Sequence, residues 1–210
     1  MFTATFEVET RVQDEAQLRS LFGTDRVDLN PGAVVTFTGE IVLGPGVTFS
    51  GDCRVAGLAR IEKGSALTAV HIGAGTVVRP YSILCDLEAG EGNLFGPFCF
   101  IRDNCVVGDR CILGAHVETA RSRFGDGVKI SHRAFVGDAE VGADTIIGAG
   151  VVFCNWDGQG RRTTNVGAGV TIGSGSLLVS PVLIGDGAII AAGSTVTKDV
   201  SPGVRLIQKR

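Results

Sequence analysis

The chain is predicted to be all-β, wound as a parallel β-helix of short stacked strands. Three observations predict it. An aliphatic residue returns every six positions, most plainly at Val166, Ile172, Leu178, Ile184, Ile190 and Val196. The residue four places after each beat is small or β-branched, as at Val170, Ser176, Val182, Ala188, Ser194 and Val200. Glycine supplies 31 of 210 residues without a collagen period or a Gly/Ser linker, so the glycines belong to turns. A six-residue unit is too long for a plain strand and fits no helical face. It fits a short strand and a tight turn, with one large and one small side chain pointing inward on each side, and three such sides close an eighteen-residue coil. Stacked coils bury their inward residues only against their neighbours.

Taken in order, residues 1–29 read as an N-terminal cap and residues 30–210 as the β-helix. Phe2, Ala4, Phe6 and Val8 alternate with Thr3, Thr5, Glu7 and Glu9, the pattern of a half-buried strand. The segment DEAQLRSLFG, 14–23, opens on an aspartate, sets Leu18, Leu21 and Phe22 on one side and closes on Gly23, which predicts a short helix. The beat then runs through 43, 49, 55, 61 and 67, through 72, 78 and 84, and through 95, 101, 107 and 113. It continues through 124, 130, 136, 141, 147 and 153. About nine coils fit between Asn30 and Val200 on the eighteen-residue repeat. Intervals of five, 67 to 72 and 136 to 141, are single deletions at corners. One stretch breaks the rhythm: CNWDGQGRRTTN, 154–165, polar, with two arginines and the chain's one tryptophan.

A net charge of −3 lacks the basic face that nucleic acid or an anionic membrane would require, so any anionic ligand must be held by local arginines. No apolar run approaches a membrane span, and MFTATFEVET has no signal-peptide pattern, so a cytoplasmic location is expected. Of six cysteines, Cys99, Cys105 and Cys111 are six apart and Cys53 shares their phase, which reads as buried thiols filling inward positions. His71, at a small-residue phase, and His116, at a corner, read as structural. The spacing of the three histidines does not make a three-histidine zinc site, and no metal is expected.

From Phe95 onward the stretches FGPF, IR, SHRAFVGDAEVG, IGAG, CNWDG and IGSGSLLVSPVLIGDGAIIAAGSTVTKDV carry a narrower likeness. They resemble the hexapeptide-repeat acyltransferases, and among them the C-terminal acetyltransferase domain of the bifunctional N-acetylglucosamine-1-phosphate uridyltransferase/glucosamine-1-phosphate acetyltransferase. The likeness covers just over half of the chain. It implies a left-handed helix, although parallel crossovers generally favour the right hand. It further implies a homotrimer with sites between neighbouring subunits, acetyl-CoA as co-substrate and an amino-sugar acceptor. Nothing resembles the nucleotidyltransferase half, so uridylyl transfer is not expected.

The resemblance assigns roles to particular residues. His132 falls at the family's general base, which an ammonium acceptor requires before its nitrogen can attack a thioester. Arg102 falls where the sugar phosphate is held, and Asn155 at a sugar-contacting asparagine. Arg161 replaces a lysine and offers a fork of donors. Trp156 replaces a tyrosine and offers a stacking face. Ala149, Ser174 and Ala192 fall on acetyl-CoA contacts, with the Ala149 amide placed to meet a developing oxyanion, although small residues also satisfy the hexad. Departures cluster in the sugar pocket: Ala120 stands for a phosphate lysine, with Arg121 adjacent, Phe135 for a tyrosine and Ile146 for an asparagine. Lys209 stands for a CoA-contacting arginine. Three lost polar contacts leave two other readings open, a non-catalytic trimeric binding or scaffold module and an acyltransferase for a different amine.

Overall fold

A computed structural model describes residues 1–207, which form a left-handed parallel β-helix. Each coil has three short strands, and each strand pairs in parallel with those one coil away. Face A takes its large inward residues from Leu29, Phe49, Leu67, Leu84, Ile101, Thr119, Val136, Phe153, Leu178 and Val196. Face B takes Phe37, Val55, Ile72, Ala89, Val107, Phe124, Val141, Val166, Ile184 and Val200. Face C takes Leu43, Ile61, Val78, Phe95, Leu113, Ile130, Ile147, Ile172, Ile190 and Leu206. That is one rung more per face than the nine coils expected, with pairing that reaches Leu29 at the front of face A and Leu206 at the back of face C.

Every residue on the predicted beat is buried, and so are the small or β-branched residues four places after most beats, such as Val170, Ser176, Val182, Ala188, Ser194 and Val200. Two rungs that the beat skips are filled by residues no hydrophobic pattern selects. Ala89 pairs between Ile72 and Val107, and buried Thr119 between Ile101 and Val136.

The cap is continuous with this stack. β1 (Phe2–Val12) runs antiparallel to β3 (Val34–Leu43). A bulge between Phe6 and Thr10 shifts the register. Phe6 and Val12 therefore point into the core, whereas Val8, expected on the inward side, is 74% exposed. α1 (Glu15–Phe22) starts at Asp14, whose carboxylate accepts from the Ala16 and Gln17 amides, and ends at Gly23 with φ 61°. Leu18 and Phe22 are buried, but Leu21 faces outward. Phe6, Phe22 and Phe37 lie within 6.0 Å of one another by ring centroids, and Phe37 meets Phe49 edge-on at 5.9 Å. Cap and first coils thus share one aromatic core. Parallel stacking already begins with β2 (Val27–Leu29). No helix among the described residues is long and apolar enough to cross a membrane.

Cys53, Cys99, Cys105 and Cys111 are buried at inward positions, as their phase predicts, and all six cysteines are free thiols. Burial pushes Cys53, Cys105 and Cys111 up and lifts Cys99 to about 11. The thiolate is the reactive form. A disulfide-exchange reagent at pH 7.5 is therefore expected to titrate no more than the two half-buried thiols, Cys85 and Cys154, in the native protein, and all six after denaturation. Rapid native labelling of Cys99, read by peptide mass, would contradict the packing. His71 hydrogen-bonds Glu88 at 2.8 Å on the outer side of face B.

Candidate active site

Seven consecutive coils turn from face C to face A through three residues: Arg79-Pro80-Tyr81, Gly96-Pro97-Phe98, Gly114-Ala115-His116, Ser131-His132-Arg133, Gly148-Ala149-Gly150, Gly173-Ser174-Gly175 and Ala191-Ala192-Gly193. The third residue of each adopts positive φ, from 44° at Arg133 to 73° at Gly150. Glycine takes that conformation freely and other residues take it at some cost. The corner changes character along the axis. Toward the N-terminus its third position carries Tyr81, Phe98 and His116, stacked at 5.6 and 5.2 Å. Beyond Arg133 it carries only glycine, and a Cβ on Gly175 or Gly193 would meet nothing within 4 Å.

His132 stands where the bulky corner becomes the bare one. It ends the strand Lys129–His132 and pairs with Ala115. Ala149, Ser174 and Ala192 occupy the same second position in the next three coils. The residue expected to act as base and the three expected along the CoA chain therefore lie in a single axial row. Hydrogen bonds of 2.8 Å from Gly150 to Arg133, from Gly175 to Ala149 and from Gly193 to Ser174 fix the spacing of that row. The Ala149 amide has no acceptor among the described residues. His132 is exposed and borders a groove of about 340 Å³ lined by Arg79, Leu94, Gly96, Pro97, Ile112, Gly114, Ala115 and Ser131.

A second set of predicted residues gathers at the corner between faces A and B. Asp103, Arg121, Asp138 and Asn155 each stand two residues after the face-A core residue of consecutive coils, and they form a ladder. Arg102 donates to Glu118 at 2.8 Å and pairs with Asp103, which also takes Arg121. Arg121 Nε donates to Asp138 Oδ1 at 2.7 Å, and Asn155 Nδ2 donates to Asp138 Oδ2, with Arg161 Nε 3.9 Å away. Arg102, expected as an anion clamp, and Arg121, expected among the substrate contacts, are thus already matched by carboxylates. Phe135 is half-buried on the outer side of face A, and a Cβ on Gly137 would lie 2.8 Å from its ring and 2.6 Å from the Asn155 amide.

The interruption is a built hairpin. Cys154 ends one strand and Thr164 and Asn165 begin the next, so the loop proper is 155–163, narrower than the twelve residues the sequence marks out. Trp156 bridges Arg161, the Arg162 amide donates to the Asn155 carbonyl at 2.7 Å, and Arg162 Nε pairs with Asp157 at 2.7 Å. Trp156 is 61% exposed.

Burial alone would raise the Asp138 carboxyl, but hydrogen bonds from Arg121 and Asn155, with the charges of Arg121 and Arg161, hold it below its ordinary value. A depressed carboxyl stabilises the fold above its unfolded pKa, and that contribution is lost as pH falls through the folded value. Asp138→Ala is therefore expected to cost about 2 kcal/mol at pH 7, with the gap from wild type closing below about pH 4, where an unperturbed carboxyl protonates. Thermal unfolding at the two pH values tests this, and an equal gap at both would place the effect elsewhere.

Comparison with known proteins bears on the repeat and the fold. The chain is 39% identical over 199 residues to the bifunctional protein GlmU of Acidithiobacillus ferrooxidans, covering 92% of this chain and 44% of that one. It is also 39% identical over 184 residues to the bifunctional protein GlmU of Sorangium cellulosum, covering 88% and 39%. The family described as bacterial transferase hexapeptide (six repeats) matches residues 90–121 and 163–198. The chain carries the hexapeptide repeat of the bacterial transferases over those two stretches. It spans less than half the length of the curated relatives it matches. Among solved structures, LpxA, a UDP-N-acetylglucosamine acyltransferase from Bacteroides fragilis, superposes with a TM-score of 0.50 at 15% identity, over 84% of this chain and 64% of that one. That is a likeness of fold.

For a hexapeptide-repeat chain the charges that sequence reading misses are Asp103, Glu118 and Asp138, which neutralise the predicted arginines. Their spacing holds the signal: Asp103, Arg121, Asp138 and Asn155 recur at 17 or 18 residues, one coil apart. Lys209, assigned to CoA by resemblance, lies outside the described residues.

Proposed function

We propose that the protein is an acetyl-CoA-dependent N-acetyltransferase acting on an amino sugar that is phosphorylated or nucleotide-linked. It works as a homotrimer in the cytoplasm and has no uridyltransferase activity. The observation that carries the reading is the axial row headed by His132, in which Ala149, Ser174 and Ala192 follow beside a corner stripped to glycine. A flexible pantetheine chain needs a path without side chains in its way, and this is that path. The acceptor ammonium gives a proton to the His132 imidazole, and its freed nitrogen attacks the thioester carbonyl carbon. The Ala149 amide meets the oxyanion. Collapse breaks the carbon–sulfur bond, and the CoA thiolate leaves and takes up the proton that the acylated nitrogen gives up. No covalent enzyme intermediate is needed.

In one protomer the His132 row and the Arg102–Arg161 ladder occupy different corners, with face A between them. A closed trimer sets one subunit's A–B corner against its neighbour's C–A corner. Arg161, whose side chain is 61% exposed and whose ion pair is the longest in the ladder, and Trp156 beside it then reach the acceptor from across the seam. The test is release of CoA thiol from acetyl-CoA with glucosamine, glucosamine-1-phosphate and a nucleotide-linked amino sugar. Absence of release with all three would overturn the reading.

A second reading, a non-catalytic trimeric module, draws on the neutralised Arg102 and Arg121 and on Ala120, Phe135 and Ile146. Acetyl-CoA titration separates the two, since a module without chemistry has no use for the groove.

A further inference from the structure

We propose that Arg205 holds the diphosphate of acetyl-CoA at the far end of the axial row. The proposal rests on the acetyltransferase reading for the nature of the donor. Three residues before Ala149, Ser174 and Ala192 stand Ile146, Thr171 and Ile189, and Arg205 takes the same place in the next coil. Parallel pairing stacks these four in one file on the outer side of face C, Ile146 on Thr171, Thr171 on Ile189 and Ile189 on Arg205. All four are exposed. The file therefore runs from apolar to cationic beside a corner without bulky side chains, and no acidic residue stands in either row over the coils of Ala149, Ser174 and Ala192.

The donor has the same order. Its pantetheine arm is neutral and carries methylene and methyl groups, and it ends on phosphate. From the thioester sulfur to the first phosphorus is about thirteen bonds, roughly 15 Å at the reach of an extended chain. From the coil of Ala149 to that of Arg205 is three rung spacings, about 14 Å. A thioester seated at the Ala149 amide thus delivers its diphosphate to the level of Arg205, where a guanidinium fork makes charge-assisted hydrogen bonds to it. Other cations of the file do not fit. Lys129 lies in the coil of His132, level with the reacting end, and Arg60 is taken by Glu62 at 2.9 Å. In the trimer proposed above, face A turns inward and face C outward, so Arg205 stays clear of the seam. The neighbour's A–B corner at that level carries Lys198 and Asp199, and the Asp199 carboxylate already accepts from the Leu183 amide at 2.8 Å.

Calorimetric titration of the full chain with acetyl-CoA, S-acetyl-dephospho-CoA and S-acetylpantetheine tests this. The second ligand lacks only the 3′-phosphate, and the third lacks every phosphate. Wild type is expected to bind acetyl-CoA at least about tenfold more tightly than S-acetylpantetheine. Arg205→Gln should weaken acetyl-CoA and S-acetyl-dephospho-CoA alike by about tenfold, with S-acetylpantetheine binding and melting unchanged, and Arg205→Lys should recover part of the loss. In turnover, KM for acetyl-CoA should rise in Arg205→Gln while kcat holds. Lys129→Gln should leave donor affinity as it is. The proposal is overturned if Arg205→Gln binds acetyl-CoA like wild type, if it weakens S-acetylpantetheine by the same factor, or if only the ligand with the 3′-phosphate is affected. Thiol release measured in parallel keeps the two readings apart. Acetyl transfer with a wild-type KM in Arg205→Gln removes the site and leaves the activity. Donor binding that depends on Arg205, with no release for any amino sugar, leaves the site standing and removes the activity.

Discussion

His132→Ala is expected to lower kcat/KM for acetyl transfer by about 10²- to 10⁴-fold, the range for loss of a general base. The fold should not notice. His132 is exposed and makes no side-chain hydrogen bond or ion pair among the described residues, so the change should stay within about 0.5 kcal/mol in stability. Affinity for acetyl-CoA should also hold, because the bare corner and the small residues of the next three coils are untouched. A residual rate should survive, since the Ala149 amide, proposed to meet the oxyanion, is untouched. The combination is diagnostic: unchanged melting, unchanged acetyl-CoA binding and a collapsed rate. A His132→Ala enzyme that turns over like wild type would move the proton transfer to another group and with it the assignment of the groove.

The core was legible because a six-residue period fixes two inward positions per side, and packing demands that both be apolar or small. Where the period falters, register decides. Ala89 and Thr119 take core rungs because their strands are paired on both sides, and hydrophobicity does not enter. The same cause trims the interruption, since Cys154 pairs with Val179 and Thr164 with Ala139, which draws both ends into strands. Val8 left the core through a bulge that no alternation pattern announces. At the site, His132, Ala149, Ser174 and Ala192 were assigned by resemblance, and they fall in one row because all four stand two residues past a beat. The state of the arginines was not readable, since it depends on carboxylates brought alongside by coil stacking.

Phe153→Ala should be the most damaging single change in the catalytic half of the stack. The ring is fully buried on face A in the coil that throws out the hairpin, between Val136 below and Leu178 above. Removing a buried phenylalanine costs about 3–5 kcal/mol, against a total of about 5–15 for a domain. Little relaxation can soften the loss, because parallel pairing on three faces holds adjacent coils about 4.8 Å apart and keeps the cavity open. In a stack whose coils touch only their neighbours, the damage should be local along the axis. Hydrogen exchange is expected to quicken in the strands Thr164–Val166 and Leu177–Val179 far more than in Phe2–Val12 or Val34–Leu43. Activity should fall with it, because Asn155, Trp156 and Arg161 hang from the weakened coil. Leu177→Ala, which trims an outward residue of the neighbouring strand, is the control and should cost less than about 1 kcal/mol. Uniform acceleration across the whole chain would mean that the coils unfold as one unit and that the loop draws its support from the entire stack.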